Sequence, residues 1–420
     1  MNILRRWIKQ TKGIGIAAVS IMLVLALVAS ACAPAGAAAT EKVVKIGNMV
    51  GLTGALATTL GPAAYGQFDC TRWVNEHGGV NGVKIEHLWE NTQGLVPKCI
   101  TAFKRLKAAG VVAVFEISSA PMEAMLATYQ REKTPCLSIN AHTPRTLSKP
   151  PWIIAGLNSW ACAPATFMTW VKENWAEARP PKFGVIFYDH ASGWDALEGA
   201  RWAAEREYGE LVGYEVVPLL GAIDTSVEWL RLAGKNPDWI YVSAYGATLT
   251  TLVKDAARLE IQKKGIKLCS TPLGFTENYL DIVGLKVAEG WHRIDAYMLV
   301  RQPEPEEMTP EFENLCEAAR NYRGREPEDN TSQYVVGWIY GAIMTEGIRK
   351  AIEKVGFDNL SPEAVREGIV SIREFNTGLT LPITITDEKP HVLDYLKFYQ
   401  FREGKSVAVS DYIKTISIYY

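Results

Sequence analysis

Short β-rich segments alternate with helical segments along most of this chain, and this alternation constrains the fold more than any other feature. The β-rich runs are dominated by Val, Ile and aromatic residues and stop at Gly, Ser, Asn or Asp, as expected of strands that are buried on both faces. A pair of parallel strands needs a long crossover, which is usually a helix. The alternation therefore predicts βαβ units, parallel sheets and an α/β fold class.

The alternation occurs in two blocks, which a Pro/Trp-rich break at residues 149–152 separates. A helical segment at 333–355 and a β-rich run at 394–401 must pack back onto one block or the other. The region from residue 41 to 420 is too long for one ordinary core, so the blocks predict two lobes. The predicted strands are 43–50, 83–89, 111–117, 134–139, 183–188, 213–217, 239–243 and 266–270, and the predicted helices are 64–76, 96–109, 121–133, 163–175, 194–208, 226–233 and 247–259.

The loops at the carboxyl ends of the strands form the predicted ligand site. Ligands of parallel sheets bind beyond these ends, where helix N-termini point unpaired N–H groups outward. If the two lobes present these ends to each other, the loops enclose a single cleft. The loops are 51–61, 91–94, 118–121, 140–143, 189–194, 244–247 and 271–275.

The first 32 residues read as a targeting segment outside the fold. A positive head carries Arg5, Arg6, Lys9 and Lys12, an apolar run follows at 14–28, and small residues precede Cys32. This order is typical of a secretory signal peptide, and the apolar run is short for a membrane span of roughly 20 residues. A tethering N-terminal helix is the alternative.

The ending Ala-Ser-Ala-Cys resembles the bacterial lipoprotein box, which implies cleavage and acylation at Cys32. Residues 33–41 then form a flexible tether rich in Ala, Gly and Pro. These features predict an exported protein in the cell envelope, lipid-anchored on the outer face of the cytoplasmic membrane or periplasmic.

Charge and cysteine usage exclude several classes of protein. The net charge is −2 without a basic block, which argues against a nucleic-acid partner. Six cysteines follow Cys32, and no CxxC or Cys/His metal spacing occurs, so we expect no metal site and no cofactor. An exported protein can form disulfides, but buried thiols are an equal alternative. These cysteines are Cys70, Cys99, Cys136, Cys162, Cys269 and Cys316.

One run stands out as a motif: residues 75–82 read Asn-Glu-His-Gly-Gly-Val-Asn-Gly. Shorter motifs flank it in a fixed order, at 45–47, 54–55, 110–114, 118–119, 134–135, 236–241 and 288–290. Together they resemble the leucine/isoleucine/valine-binding group of type I periplasmic binding proteins. The resemblance implies two Rossmann-like lobes that are joined by a three-crossing hinge and close over a ligand in the interlobe cleft.

The same resemblance implies lobe boundaries and partners. The N-terminal lobe is expected at 42–157 plus 297–390, and the C-terminal lobe at 158–296 plus 391–420. The expected partners are a small-molecule ligand, the permease and ATPase subunits of an ABC importer, and the membrane through the lipid anchor. The protein itself is expected to be a monomer.

In the first block, the resemblance places Ser119 where a serine hydroxyl holds the carboxylate of the ligand. Ser118 and Ser119 also follow a predicted strand and open a helix, so hydroxyl and backbone N–H groups can converge on an anion. A plain helix cap is the alternative. Asn140 and His142 match positions that grip the polar end of the ligand, although His142 can also be a surface-loop residue.

In the second block, Trp194 and Tyr245 match aromatic residues that cover the bound ligand. Trp89 and Trp160 are weaker candidates. Leu273 stands where amino-acid-binding members carry a Glu for the α-ammonium group, and Phe275 would complete an apolar floor.

Leu273 cannot pair with an ammonium, and a buried unpaired ammonium costs several kcal/mol. Either Glu116 or Asp189 supplies the charge, or the ligand is an organic or aromatic acid without an amine, which we favour. We expect that the protein is not an enzyme, because the usual catalytic motifs are missing from the sequence. A ligand-sensing ectodomain without transport is the alternative.

Overall fold

The computed structural model describes residues 41–54, 57–219, 221–275, 277–299, 308–326, 329 and 331–419. The described residues from Val43 onward form one unit by their internal contacts. The predicted signal peptide, the acylated Cys32 and all of the tether except residue 41 lie outside the described residues.

The strands in chain order are β1 (Val43–Val50), β2 (Lys84–Asn91), β3 (Val114–Glu116), β4 (Cys136–Ser138), β5 (Ile153–Leu157), β6 (Lys182–Tyr188), β7 (Glu210–Val217), β8 (Trp239–Ser243), β9 (Lys267–Ser270), β10 (His292–Asp295), β11 (His391–Leu393), β12 (Tyr395–Arg402), β13 (Lys405–Ala408) and β14 (Ile413–Lys414). They form two sheets. The sheet of the N-terminal lobe has the order β11-β5-β4-β3-β1-β2 and is parallel throughout. The sheet of the C-terminal lobe has the order β13-β12-β10-β9-β8-β6-β7.

The second sheet is parallel from β7 to β10, and β12, β13 and β14 pair antiparallel at its other edge. This confirms the α/β class with two parallel-sheet lobes. Five of these strands were not predicted as separate strands: β5, β10, β11, β13 and β14. They have at most five residues each, which is too short for a periodic signal.

The helices in chain order are α1 (Ala57–Glu76), α2 (Val96–Ala108), α3 (Ser119–Arg131), α4 (Cys162–Glu173), α5 (Ala191–Glu205), α6 (Ser226–Ala233), α7 (Gly246–Arg258), α8 (Glu277–Val283), α9 (Leu285–Ala288), α10 (Pro310–Arg323), α11 (Ser332–Val355) and α12 (Pro362–Val370). Helices α1, α10, α11 and α12 pack together in the N-terminal lobe. The predicted helix 333–355 thus belongs to this lobe, and the predicted run 394–401 is β12 of the other.

Helix α11 packs unusually close to α1. A Cβ atom on Gly66 would lie 2.1 Å from the Tyr334 carbonyl oxygen, and one on Gly337 would lie 1.9 Å from that of Ala63. Only glycine permits this backbone approach. The contact fixes the N-terminus of α11, where the Thr331 hydroxyl accepts a hydrogen bond from the Tyr334 amide.

The chain passes between the sheets three times: from β5 to α4, from β10 towards α10, and from β11 to β12. The third passage differs from the expected boundary at 390/391. Strand β11 pairs with β5 in the N-terminal sheet, so the chain changes lobe at Asp394. The cysteines beyond Cys32 are all buried as thiols, and the described residues contain no disulfide.

Candidate ligand-binding cleft

The two lobes meet at the carboxyl ends of their parallel strands. Helix α3 of the N-terminal lobe contacts α5 of the C-terminal lobe, and a cavity of about 480 Å³ lies beside this contact. Residues of both lobes and of the C-terminal segment line it: Glu123, Thr143, Pro144, Arg145, Ala191, Trp194, Asp195, Glu198 and Tyr419. Of the predicted loops, 140–143 and 189–194 contribute residues to this cavity, through Thr143, Ala191 and Trp194.

The acidic side chains at this mouth are engaged by protein groups. Glu123 accepts a hydrogen bond of 2.6 Å from the Thr143 hydroxyl, and Glu198 pairs with Arg201 at 2.6 Å. Asp195 accepts from the Ala161 amide at 3.0 Å and from the Tyr419 hydroxyl, while burial raises its pKa to about 6. The acids thus leave the cleft less negative than their number suggests.

Ser118 and Ser119 are both buried at the start of α3. Ser118 is the N-cap residue, but its side chain makes no capping hydrogen bond. Within the described part of the chain, neither hydroxyl has a hydrogen-bonding partner. The plain helix cap is therefore wrong for Ser118, and both hydroxyls are available to a ligand.

Glu116 occupies one of the expected ligand donors, the backbone N–H of Ser118. Its Oε1 accepts hydrogen bonds from the amides of Ile117 at 3.0 Å and Ser118 at 2.9 Å. The Ser118 N–H is consequently not available to a ligand, contrary to the prediction. The amides of Ser119 and Ala120 remain as the unpaired donors of the helix N-terminus. The Glu116 carboxyl is buried, and burial raises its pKa to about 8.

Asn140 and His142 differ in their availability. The Asn140 side-chain Nδ2 is buried without a partner among the described residues. The His142 ring is completely buried, with Nδ1 2.9 Å from the Thr146 hydroxyl and Nε2 2.9 Å from the Pro390 carbonyl. Burial lowers the pKa of His142 to about 4. His142 therefore ties two loops of its own lobe together, and the predicted ligand contact is wrong for this conformation.

Trp194 lies at the rim of the cleft on α5 and is 42% exposed. Its ring packs edge-on against Phe187 at 4.9 Å, and its indole N–H donates to Asp189 Oδ1 at 2.8 Å. The indole is thus held in place while one face stays open to the cavity that it lines. Trp89, by contrast, is exposed on the edge strand β2.

Tyr245 belongs to an aromatic cluster of the C-terminal lobe. Its ring lies 5.8 Å from Trp160 and 5.8 Å from Tyr188, edge-on in both cases, and its hydroxyl donates to the Pro272 carbonyl at 2.8 Å. Tyr188 in turn stacks on His190 at 5.4 Å. Trp160 follows β5, Tyr188 ends β6 and Tyr245 follows β8, so the three rings form an aromatic cluster at these strand ends.

Leu273 and Phe275 do not form a common floor. Leu273 is half-buried in a tight turn with a φ of 63°. Phe275 is buried in the core of the C-terminal lobe, with its ring 5.0 Å from Trp291 and 5.4 Å from Phe401. Phe275 is thus a core residue that is not among those lining the cavity, and its ligand role stays a prediction.

Sequence reasoning missed Glu277, the buried acid four positions after Leu273. Its carboxylate accepts from the Ser332 amide and hydroxyl at 2.7 Å each and lies 3.5 Å from Arg293. Arg293 also pairs with Asp295 at 2.6 Å. Because α8 belongs to one lobe and Ser332 begins α11 of the other, Glu277 links the lobes. The sequence signal that could have found Glu277 is an acidic residue at the start of a helix, close to Leu273, where amino-acid-binding members carry a Glu.

Three more polar groups near the lobe boundary are buried without partners among the described residues. They are Trp160 Nε1, Asn140 Nδ2 and both amide atoms of Gln333. Such groups cost about 1–3 kcal/mol each unless something binds them. Trp160 stands at the first crossing, and Gln333 follows the residue that Glu277 holds. They mark where a polar ligand or ordered water would be stabilised.

Over the residues that the structure describes, no helix is long and apolar enough to span a bilayer. In the same residues, no cluster of three or more His, Cys, Asp or Glu side chains could hold a metal ion.

Two α/β lobes with a ligand-sized cavity between their strand ends define a two-lobed binding protein. The chain belongs to the periplasmic binding protein family, whose profile matches residues 43–406. Its two-lobed α/β architecture is that of type I periplasmic binding proteins. A comparison with curated protein sequences finds no match.

Three solved structures illustrate the fold. A branched-chain amino acid ABC transporter protein from Thermus thermophilus with bound valine has 17% identity and a TM-score of 0.78, over 89% of this chain and 96% of the other. A fatty acid ABC transporter substrate-binding protein from Thermomonospora curvata has 20% identity and a TM-score of 0.76, over 89% and 92%. A solute-binding protein from R. palustris in complex with 4-hydroxybenzoate has 19% identity and a TM-score of 0.72, over 89% and 97%.

Proposed function

We propose that this chain captures a small carboxylate-bearing solute, an aromatic or other organic acid, and delivers it to the permease of an ABC importer. The observation that carries the proposal is the pair of unpartnered hydroxyls of Ser118 and Ser119 at the buried start of α3. Hydroxyls and helix N-terminal amides together stabilise an anion.

The rest of the cleft supports a ligand with an apolar or aromatic body. Tyr245 and Trp160 supply a rigid aromatic surface, and Trp194 covers the rim. Aromatic side chains with a few placed polar groups are typical of small-molecule sites. Among the solved structures of this fold, one protein is in complex with 4-hydroxybenzoate and another is a fatty acid ABC transporter substrate-binding protein, which supports an acid of this kind as the ligand.

The acids of the cleft argue against an α-amino acid. Glu277 is already held by Ser332 and Arg293, and Glu116 accepts two backbone amides inside its own lobe. Asp189 accepts a hydrogen bond from the indole of Trp194, and Glu123, Asp195 and Glu198, which line the cavity, are also engaged by protein groups. A relative of the same fold holds valine, so an amino-acid or amide ligand with Asp189 as the ammonium partner is the second candidate.

A thermal-shift panel tests the class of ligand. It compares aromatic acids, aliphatic organic acids, amino acids and the amides of the same acids, all at equal concentration. We expect stabilisation by members of the acid groups and none by their amides, because an amide lacks the charge that the Ser119 site stabilises. Stabilisation by amino acids or amides alone would contradict the proposal.

We also propose that the mature protein is anchored through acylated Cys32 after removal of residues 1–32. A Cys32→Ser protein should then appear in the soluble or periplasmic fraction, whereas the native protein stays with the membrane. Unchanged membrane retention of the variant would contradict the anchor. Neighbouring genes for permeases and ATPases would separate transport from sensing.

A further inference from the structure

A second pocket lies at the outer edge of the C-terminal lobe, away from the cleft. Trp239, Lys267 and His292 are the first residues of β8, β9 and β10, so they stand at the amino ends of parallel strands whose carboxyl ends face the cleft. Arg402, on antiparallel β12, reaches the same edge. The pocket has a volume of about 350 Å³, enough for a small organic molecule.

The wall of this pocket is aromatic. Trp170 and Trp175, at the end of α4, are both half-buried and line it together with Trp239. The rings are fixed: Trp170 packs on Phe398 at 4.9 Å, and the Trp175 indole N–H donates to the Arg179 carbonyl at 2.8 Å. A flat apolar body can pack on such a surface without ordering new side chains.

Two cations stand beside this wall without a compensating acid. Neither Lys267 nor Arg402 forms an ion pair within the described residues. Lys267 Nζ lies 5.1 Å from the centre of the Trp239 ring, and Arg402 donates to Gln400 through Nε, which leaves its terminal nitrogens for other partners. The nearby Arg179, by contrast, forms a bidentate ion pair with Asp238, which balances its charge.

Two ring nitrogens of the lining residues point to a missing partner. Trp239 is 4% and His292 is 6% exposed, and neither Trp239 Nε1 nor His292 Nδ1 has a partner in the described part of the chain. The indole N–H can only donate, so it needs an acceptor. The His292 ring also meets the Leu268 backbone, so Nδ1 is the nitrogen that is left for a ligand. Buried nitrogens of this kind are usually satisfied in folded proteins.

We propose that this pocket binds a small organic anion, a carboxylate or phosphate on a flat apolar body. The anionic group lies between Lys267 and Arg402 with an oxygen accepting from Trp239, and the body packs on Trp170 and Trp175. This site is separate from the interlobe cleft and does not depend on the ligand of the cleft.

Calorimetric titration with phenyl phosphate tests the site. We expect a dissociation constant of about 1 mM, or −4.1 kcal/mol, and at least tenfold weaker binding to the double variant Lys267→Gln/Arg402→Gln. The matched control Lys254→Gln/Lys286→Gln removes the same charge from the same lobe and should bind like the native protein. Equal affinity of the two double variants, or the absence of binding up to 10 mM (about −2.7 kcal/mol), would overturn the proposal.

Further titrations test which part of the ligand is recognised and where in the protein it binds. Inorganic phosphate should bind at least tenfold more weakly than phenyl phosphate, and equal affinity would show a simple ion site without the organic body. Trp239→Phe keeps the ring and removes its N–H, so affinity should fall about fivefold, as for one hydrogen bond of about 1 kcal/mol. Ser119→Ala should leave the binding of phenyl phosphate unchanged, and a loss there would place the binding in the cleft instead. Thermal melts confirm that each variant is folded.

Discussion

Ser119 carries the central contact of the proposed site. Its hydroxyl is buried, has no partner among the described residues and opens a helix. Because a hydrogen bond to a charged group contributes about 1.5–3 kcal/mol, Ser119→Ala should weaken carboxylate binding roughly ten- to a hundredfold. Calorimetry with the acid that the thermal-shift panel identifies measures this. Ser371→Ala, an exposed serine of the same lobe, is the matched control, and equal affinity of both variants would contradict the assignment.

Glu116 gives a prediction about pH. Burial raises the pKa of its carboxyl to about 8, whereas an unfolded Glu has a pKa of about 4.3. Between these values the folded state binds more protons than the unfolded state, so the free energy of unfolding falls as pH rises. The titration of Glu116 lowers the free energy of unfolding by at most about 1.4 kcal/mol per pH unit. Glu116→Gln should remove this pH dependence. Urea denaturation from pH 5 to 8 measures the slopes, and parallel slopes for both proteins would show that Glu116 is not the titrating group.

Residue types predicted the site only in part. The order of motifs pointed to the Ser118-Ser119 loop, Trp194 and Tyr245, which follow the ends of β3, β6 and β8, and their contact with a ligand stays a prediction. His142 and Phe275 are core residues because the direction of a side chain in a loop depends on the backbone path, which the sequence does not specify. Glu277 was missed because the loop after β9 turns tightly at Leu273 and places the acid four residues later.

At the scale of elements, α8 and α11 form the connection that matters most. Glu277 at the start of α8 accepts two hydrogen bonds from Ser332 at the start of α11. A carboxylate at a helix N-terminus is stabilising, and this one is also buried beside Arg293. The Glu277–Ser332 contact therefore connects the two lobes. The negative charge of Glu277 serves both as the acceptor for Ser332 and as the partner of Arg293.

Glu277→Gln should destabilise the protein by about 3–5 kcal/mol, because it leaves part of the buried charge of Arg293 unbalanced. Urea denaturation measures this change. The matched control is Glu260→Gln, whose partner Lys263 is exposed and whose effect should stay below about 1 kcal/mol. A loss of stability for Glu277→Gln that is no larger than that of the control would show that the Glu277–Ser332 contact contributes little to the free energy of unfolding.

The sequence predicted several elements to the residue and missed others of similar length. Strands β1 and β8 and helix α6 begin and end where the alternation indicated. Strands β5, β10 and β11 stand beside the lobe crossings, have three to five residues and were not recognised. Such strands are defined by pairing with distant segments, as β11 pairs with β5, and local patterns carry little information about such pairs.

The whole molecule should change shape on binding. The cleft is built from loops of both lobes, and the lobes are connected by three crossings, so one ligand contacts both only when they are closed. Small-angle scattering should therefore give a smaller radius of gyration with saturating ligand than without it. An identical radius, with binding shown independently, would indicate a rigid pocket.

The most direct test of the central claim compares two acids that differ only in an amino group. Calorimetry measures leucine against 4-methylpentanoate, and an aromatic amino acid against its deaminated counterpart, at one pH and ionic strength. Leu273 offers no carboxylate, and Glu116, Asp189 and Glu277 already accept hydrogen bonds from protein groups. An ammonium bound beside them would therefore lack a charged partner, and a buried unpaired ammonium costs several kcal/mol. We predict that at least one deaminated acid binds, and that its amino acid binds at least a hundredfold more weakly. Tight binding of the amino acids without binding of the deaminated acids would contradict the account and would indicate an ammonium site at Asp189.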